Sequence, residues 1–170
     1  MPEPLKKTNS PNPRNSTTQP QSNRGENSTS AASQNQPPLE ITKRMSQKIS
    51  GLKNSLKAYP IRELVKDAEE FGPYLKQQRL ETNQVRKFLD AVNRLKVDLA
   101  QGNNDFAKIE TEMVLLKPKL AYAAARQRSA KPLSDVMSAA IDQVKSTEDF
   151  IRLVQLIESI IAYHKAEGGK

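Results

Sequence analysis

Residues 82–102 read TNQVRKFLDAVNRLKVDLAQG. The apolar side chains Val85, Phe88, Leu89, Val92, Leu95 and Leu99 recur at intervals of three and four, so at about 100° per residue they share one face of a helix. Thr82 reads as its N-cap and Gly102 as its stop, with Gly102-Asn103-Asn104 as the following turn. The same period extends both ways. Upstream, Ile41, Met45, Ile49, Leu52, Leu56 and Tyr59 form one stripe ending before Pro60. Ile61, Leu64, Val65, Ala68 and Phe71 form a second, which Gly72-Pro73 is expected to kink or break, with Tyr74 and Leu75 in a short continuation. Downstream, Phe106, Ile109, Met113 and Leu116 lead to Pro118, which is expected to open a new helix through Leu120 to about Gln127. Pro132 opens another, with Leu133, Val136, Met137, Ala140, Ile141 and Val144. Ser146 and Asp149 have capping-box spacing, with Asp in place of Glu, and Phe150, Leu153, Val154, Ile157, Ile160 and Ile161 make a last stripe of about 20 residues before Gly168-Gly169. No hairpin signal and no internal repeat interrupts this pattern. The expected fold is all-α: a small bundle of about five to six helices with short loops.

The first 40 residues do not join it. They hold 7 of the 11 prolines and only Met1, Leu5, Ala31, Ala32 and Leu39 from the hydrophobic set. Such a segment cannot bury enough apolar surface to offset ~1 to 2 kcal/mol of backbone ordering entropy per residue. The expectation is a disordered tail over 1–40 and a single bundle domain over 41–170.

The 170 residues carry 27 Lys and Arg against 19 Asp and Glu, a formal charge of +8, with no Cys and one His. The absence of Cys excludes disulfides, thiolate zinc sites and a Cys nucleophile, and one His cannot supply a multi-histidine metal site. No apolar run reaches the ~18 to 20 residues of a spanning helix, and the N-terminus lacks a secretory h-region. GxxxxGK[ST], GxGxxG, HExxH and EF-hand patterns are missing too. The reading is a cytoplasmic protein without catalysis, metal or cofactor, and without a membrane partner. His164, beside Tyr163 and Lys165, has no carboxylate or hydroxyl partner at a recognisable spacing and reads as a surface or interface residue.

Charge is distributed unevenly. Arg86 to Lys131 holds ten basic and five acidic residues, whereas Pro132 to Lys170 holds four and six. The densest run is Lys117, Lys119, Arg126, Arg128 and Lys131, with no acid between them. On a helix, Lys119, Tyr122 and Arg126 fall on one side and Leu120, Ala123 and Ala124 face away, an arrangement of cations around a stackable ring that suits sequence-tolerant nucleic-acid binding. The competing reading is a solvated face with a half-buried packing tyrosine. Arg86, Lys87, Asp90 and Arg94 share the side opposite the apolar stripe and read as a surface charge network worth tenths of a kcal/mol per pair. Lys43, Arg44, Lys48, Lys53, Lys57 and Arg62 make the first helix basic, a pattern shared by membrane-surface and nucleic-acid helices.

Three separated elements carry a family resemblance. Thr82-Asn83-Gln84-Val85-Arg86-Lys87-Phe88-Leu89, Leu115-Leu116-Lys117-Pro118-Lys119-Leu120-Ala121-Tyr122-Ala123-Ala124-Ala125-Arg126, and Ala162-Tyr163-His164-Lys165 before Gly168-Gly169 together resemble, in order, the small subunit of type III-A CRISPR effector (Csm) complexes. The resemblance covers about residues 61–170; the tail and the basic helix 41–59 have no counterpart in it. It implies a non-catalytic helical bundle that assembles in several copies, as a filament or dimer, beside the repeated backbone subunit and the large subunit. It further implies that the bundle lines the channel for crRNA and target RNA, gripping backbone rather than reading sequence. Carried across by position, the RNA-contacting residues fall on Gln84, Arg86, Lys87, Lys117, Lys119, Tyr122, Arg126 and Lys165; Arg128 and Lys131 join them as extensions of the same basic run. Gln84 and Tyr122 have a second reading as residues that hold helices together. The alternative for the whole chain is a helical protein–protein adapter or membrane-surface binder whose basic residues only solubilise it.

Overall fold

A computed structural model describes residues 38–53 and 55–168. The expected disordered tail lies, up to residue 37, outside the described residues. The first helix, α1, spans Pro38–Ser50 and so opens inside the segment assigned to that tail. It is followed by α2 (Ile61–Gln77), α3 (Thr82–Gln101), α4 (Ala107–Val114), α5 (Leu116–Arg126), α6 (Lys131–Asp142) and α7 (Thr147–Ala166). Because α4 and α5 meet through Leu115 alone they act as one bent helix, giving six in all, and no strand occurs among the described residues.

The predicted stripes supply most of the buried faces, although Ile61 and Val65 of the second stripe are exposed, at 44% and 36%. Leu64, Ala68, Phe71 and Leu75 of α2, Val85, Phe88, Val92, Leu95 and Leu99 of α3, and Phe150, Leu153, Val154, Ile157 and Ile160 of α7 enter one core. Helix α7 also buries Leu156, consistent with its position between α2 and α3. Helix α1 packs on α6 and α2, and α5 packs on α6.

Three local expectations need correction. The stripe from Ile41 to Tyr59 is not one helix: α1 stops at Ser50, Gly51 follows, and Leu56–Ala58 form a 3-10 turn. Tertiary bonds hold that turn in place of helical ones, since the Leu56 N–H donates to the Gln143 carbonyl at 3.0 Å and the Lys57 N–H to Asp149 Oδ1 at 2.8 Å. Of the kink or break expected at Gly72-Pro73, the break does not occur, and α2 runs through both residues. Its packing on α7 explains why: a Cβ at Gly72 would sit 2.6 Å from the His164 nitrogen and 2.7 Å from Tyr163 Cβ, so glycine permits the close approach whose burial outweighs the lost backbone bond at Pro73. Thr82 does not cap α3. It is the first helical residue, behind Glu81, and its Oγ1 is buried without a partner. At Gly102 the helix does stop, and the left-handed residues are Asn103 and Asn104, at φ 59° and 58°.

Polar groups fasten the N-terminal part. Lys48 Nζ donates to Asp67 Oδ2 at 2.7 Å and lies 2.8 Å from Glu63, while the Tyr59 hydroxyl donates to the same Asp67 oxygen. Arg44 pairs with Glu70. Burial pushes the Tyr59 hydroxyl far up, and its bond to Asp67 adds to the shift. Lys48 loses some charge preference to desolvation, but its bonds to Asp67 and Glu63 more than restore it and raise it. With Met45 and Ile49 fully buried, the apolar stripe of α1 that a membrane surface would require lies inside the fold. No helix among the described residues is long and apolar enough to cross a membrane.

Candidate nucleic-acid interface

Helix α5 presents the sequence LKPKLAYAAAR with Pro118 in its first turn, where a missing N–H costs little. Leu116, Leu120 and Ala124 turn inward, so the helical period places Lys119, Tyr122 and Arg126 on the other side. Tyr122 is 64% exposed, and the Arg126 guanidinium lies 5.7 Å from its ring centroid. The half-buried packing alternative for this tyrosine is therefore not what the fold adopts.

Helix α3 packs on α4 and α7 and α5 packs on α6, which leaves a groove between α3 and α5 rather than a close seam. Its volume is about 570 Å³. Gln84 and Lys87 from α3 and Lys119, Tyr122 and Arg126 from α5 line it, five of the ten residues selected from the sequence. They come from two motifs some 30 residues apart along the chain. The floor includes Phe88, Leu116 and Leu120, and among the described residues no acidic side chain lines it. Gln84 hydrogen bonds to Gln127 across the groove, so Gln84 does hold elements together. Gln127 was not among the selected residues; only its position directly after Arg126 could have marked it.

The other five selected residues stand elsewhere. Lys117 pairs with Asp142 at 2.5 Å, on α6, and Lys131 pairs with Asp135 one turn along its own helix. Arg86, Arg128 and Lys165 are exposed and form no ion pair among the described residues. Nor does Asp90 pair with Arg86 or Lys87, so the expected surface network on α3 does not form, and Lys87 is left to the groove. Lys119 approaches Glu112 only to 3.9 Å, with both side chains more than 60% exposed, a contact worth at most tenths of a kcal/mol.

His164 is corrected most. It is fully buried rather than a surface residue, and its Nε2 lies 2.9 Å from the Leu80 carbonyl. A carbonyl only accepts, so Nε2 carries the proton and Nδ1 is the bare nitrogen, buried without a partner. Burial holds the ring below the ordinary histidine range and the Lys76 charge adds to this, against the Leu80 bond. Leu80 itself lines the groove, so the Ala162–Lys165 element fixes one end of it from behind.

Sequence reasoning also missed the carboxylate that anchors α7. Asp149 accepts from Ser55 Oγ at 2.7 Å, from the Lys57 and Lys145 backbone N–H groups, and from Ser146 Oγ at 2.9 Å, while its own N–H donates to Ser146 Oγ at 3.2 Å. The capping-box spacing marked the local half of this arrangement; the bonds to residues 55 and 57 span more than 90 positions.

The family model Csm2 Type III-A matches residues 58–170. No curated protein and no solved structure matches the chain. The matched range contains α2 to α7, the groove and all three motif elements, and leaves α1 outside. With the ordered motifs, the six-helix architecture and a family match over most of the chain, the protein belongs to the Csm2 family, the small subunit of type III-A CRISPR effector complexes.

Proposed function

We propose that this subunit is a non-catalytic, cytoplasmic RNA-lining element of its effector ribonucleoprotein. Several copies form an inner filament beside the repeated backbone subunit and the large subunit, and grip the crRNA and target-RNA backbone without reading sequence. One observation carries the reading: a groove with no acid among its described lining residues gathers Lys87 from one motif and Lys119 and Arg126 from another. Cations converging from two helices suit a polyanion held by phosphate contacts, whose affinity follows salt and not sequence. Arg86, Arg128 and Lys165 would extend the track, and Lys117 and Lys131 would join it by exchanging Asp142 and Asp135 for phosphate. The family's place in a multi-subunit complex supports self-association and contact with the other subunits.

The test is RNA affinity as a function of salt, for the wild type and for a Lys87→Gln/Lys119→Gln/Arg126→Gln variant. On single-stranded RNA each lost phosphate contact removes about 0.7 of log–log slope, so the variant should lose about 2 units. A matched neutralisation of Lys43, Lys53 and Lys66 should leave the slope in place. An unchanged slope in the groove variant would overturn the assignment.

A further inference from the structure

We infer that the groove between α3 and α5 receives one unstacked nucleobase of single-stranded RNA, with the flanking phosphates on its cationic rim. The inference deepens the RNA-lining reading and rests on it. A surface that only follows phosphates needs cations along a ridge and has no use for an apolar recess. Here the recess holds about 570 Å³, a size typical of sites for small organic groups, over a floor that includes Phe88 and Leu120. Tyr122 lines it while 64% exposed, and among the described residues its ring packs against no other aromatic and its hydroxyl has no hydrogen-bond partner. The Arg126 guanidinium lies over that ring, and the 64% exposure of Tyr122 leaves ring surface to solvent where a base can stack. Lys87, Lys119 and Arg126 come from both flanking helices, and no acid is among the described lining residues. A planar apolar body flanked by two anions matches each of these features, and a nucleotide in a strand is such a body. A base already paired and stacked in a duplex cannot enter, so the occupant is an unpaired position.

The full chain would be titrated, at one salt concentration and then across several, with a mixed-sequence single-stranded RNA of about 12 nucleotides and with the same strand carrying abasic positions. The intact strand should bind about tenfold more tightly than the abasic one. Tyr122→Ala should bring the intact strand down to the abasic level without changing the salt slope, and Tyr122→Phe should preserve the gap. Equal wild-type affinity for the two strands, with a steep salt slope, would overturn the base site and leave the backbone reading standing. No binding of either strand would overturn both, and saturable binding of an acidic, aromatic peptide in its place would give the groove to a protein neighbour. The wild-type comparison decides the matter even if a variant fails to fold.

Discussion

Replacing Gly72 by alanine should destabilise the protein even though it raises the helix propensity of α2. An interior Gly→Ala change in a helix gains about 1 kcal/mol when nothing else intervenes. At Gly72 the new Cβ would lie 2.6 Å from the His164 nitrogen, 2.7 Å from Tyr163 Cβ and 2.9 Å from the Tyr163 carbonyl carbon. Ordinary carbon contacts sit at about 3.5 to 4.0 Å, so α2 and α7 must part by about 1 Å. Two of the three atoms are backbone and the third is bonded to it, so no rotamer change relieves the clash. Over-packing of this kind costs about 1 to 3 kcal/mol, with the upper end expected where backbone must move. The net loss should be about 2 kcal/mol, a Tm lower by roughly 8 °C for a fold of this size. Urea unfolding followed by circular dichroism measures it directly. Gly102→Ala is the milder comparison: its nearest atom, at 2.8 Å, is Lys108 Cδ, a flexible side chain that can swing aside, and its nearest backbone atom, the Asp98 carbonyl oxygen, is at 3.1 Å, so that variant should lose less than Gly72→Ala. A Gly72→Ala protein as stable as the wild type, or more so, would refute the close-approach argument.

The buried His164 should make stability depend on pH. Its folded value is lowered, so just below pH 6.5 the unfolded chain binds more protons than the fold; stability should drop as pH falls through about 6.5 and level off below the folded value, at up to 1.4 kcal/mol per unit. His164→Gln should flatten that part of the profile in urea midpoints between pH 7.5 and 5.5, and an unaltered slope would count against it. Burial pushes the Asp149 carboxyl up, but the bonds from Ser55, Lys57, Lys145 and Ser146 prevail and hold it low. Its stabilisation should therefore be present above about pH 3.9 and lost as pH falls through the folded value, and Asp149→Ala should cost about 3 kcal/mol at neutral pH. Ile49→Ala, outside the family match yet fully buried, should cost about 2 to 5 kcal/mol in the same assay; a loss under about 0.5 would mean that α1 is only loosely attached.

What could be read in the sequence was whatever has a local cause. The stripes of α3 and α7, the stop at Gly102 and the openings near Pro118 and Pro132 follow from period and backbone chemistry within one segment, and they match the structure. The failures share the opposite origin. Gly72-Pro73 carries a local breaking signal that close packing against α7 overrides, and the stripe through Leu56 splits because Gln143 and Asp149 capture its backbone from far along the chain. His164 read as a surface or interface residue because its partner, the Leu80 carbonyl, lies 84 positions away and has no side-chain signature. Asp67 was legible in principle: an acid between Leu64 and Phe71 on a buried stripe calls for a partner, and Lys48 and Tyr59 supply it. The groove divides the same way. Lys119, Tyr122 and Arg126 share a side of one helix by arithmetic, but only the tertiary fold brings Gln84 and Lys87 to them and turns Lys117 toward Asp142.

The central claim is that this chain lines RNA inside a type III-A effector. Tagged recovery of the full chain from its native cells, with sequencing of the co-purifying RNA and identification of the co-purifying proteins, tests it most directly. The account predicts short repeat-tagged guide RNAs together with the large and repeated backbone subunits, and loss of the RNA but not of the fold when Lys87, Lys119 and Arg126 are neutralised in every copy. Recovery of the complex with its guide and target RNA unaffected by those changes would contradict the groove's role, and recovery of a lone helical protein without RNA would contradict the account as a whole.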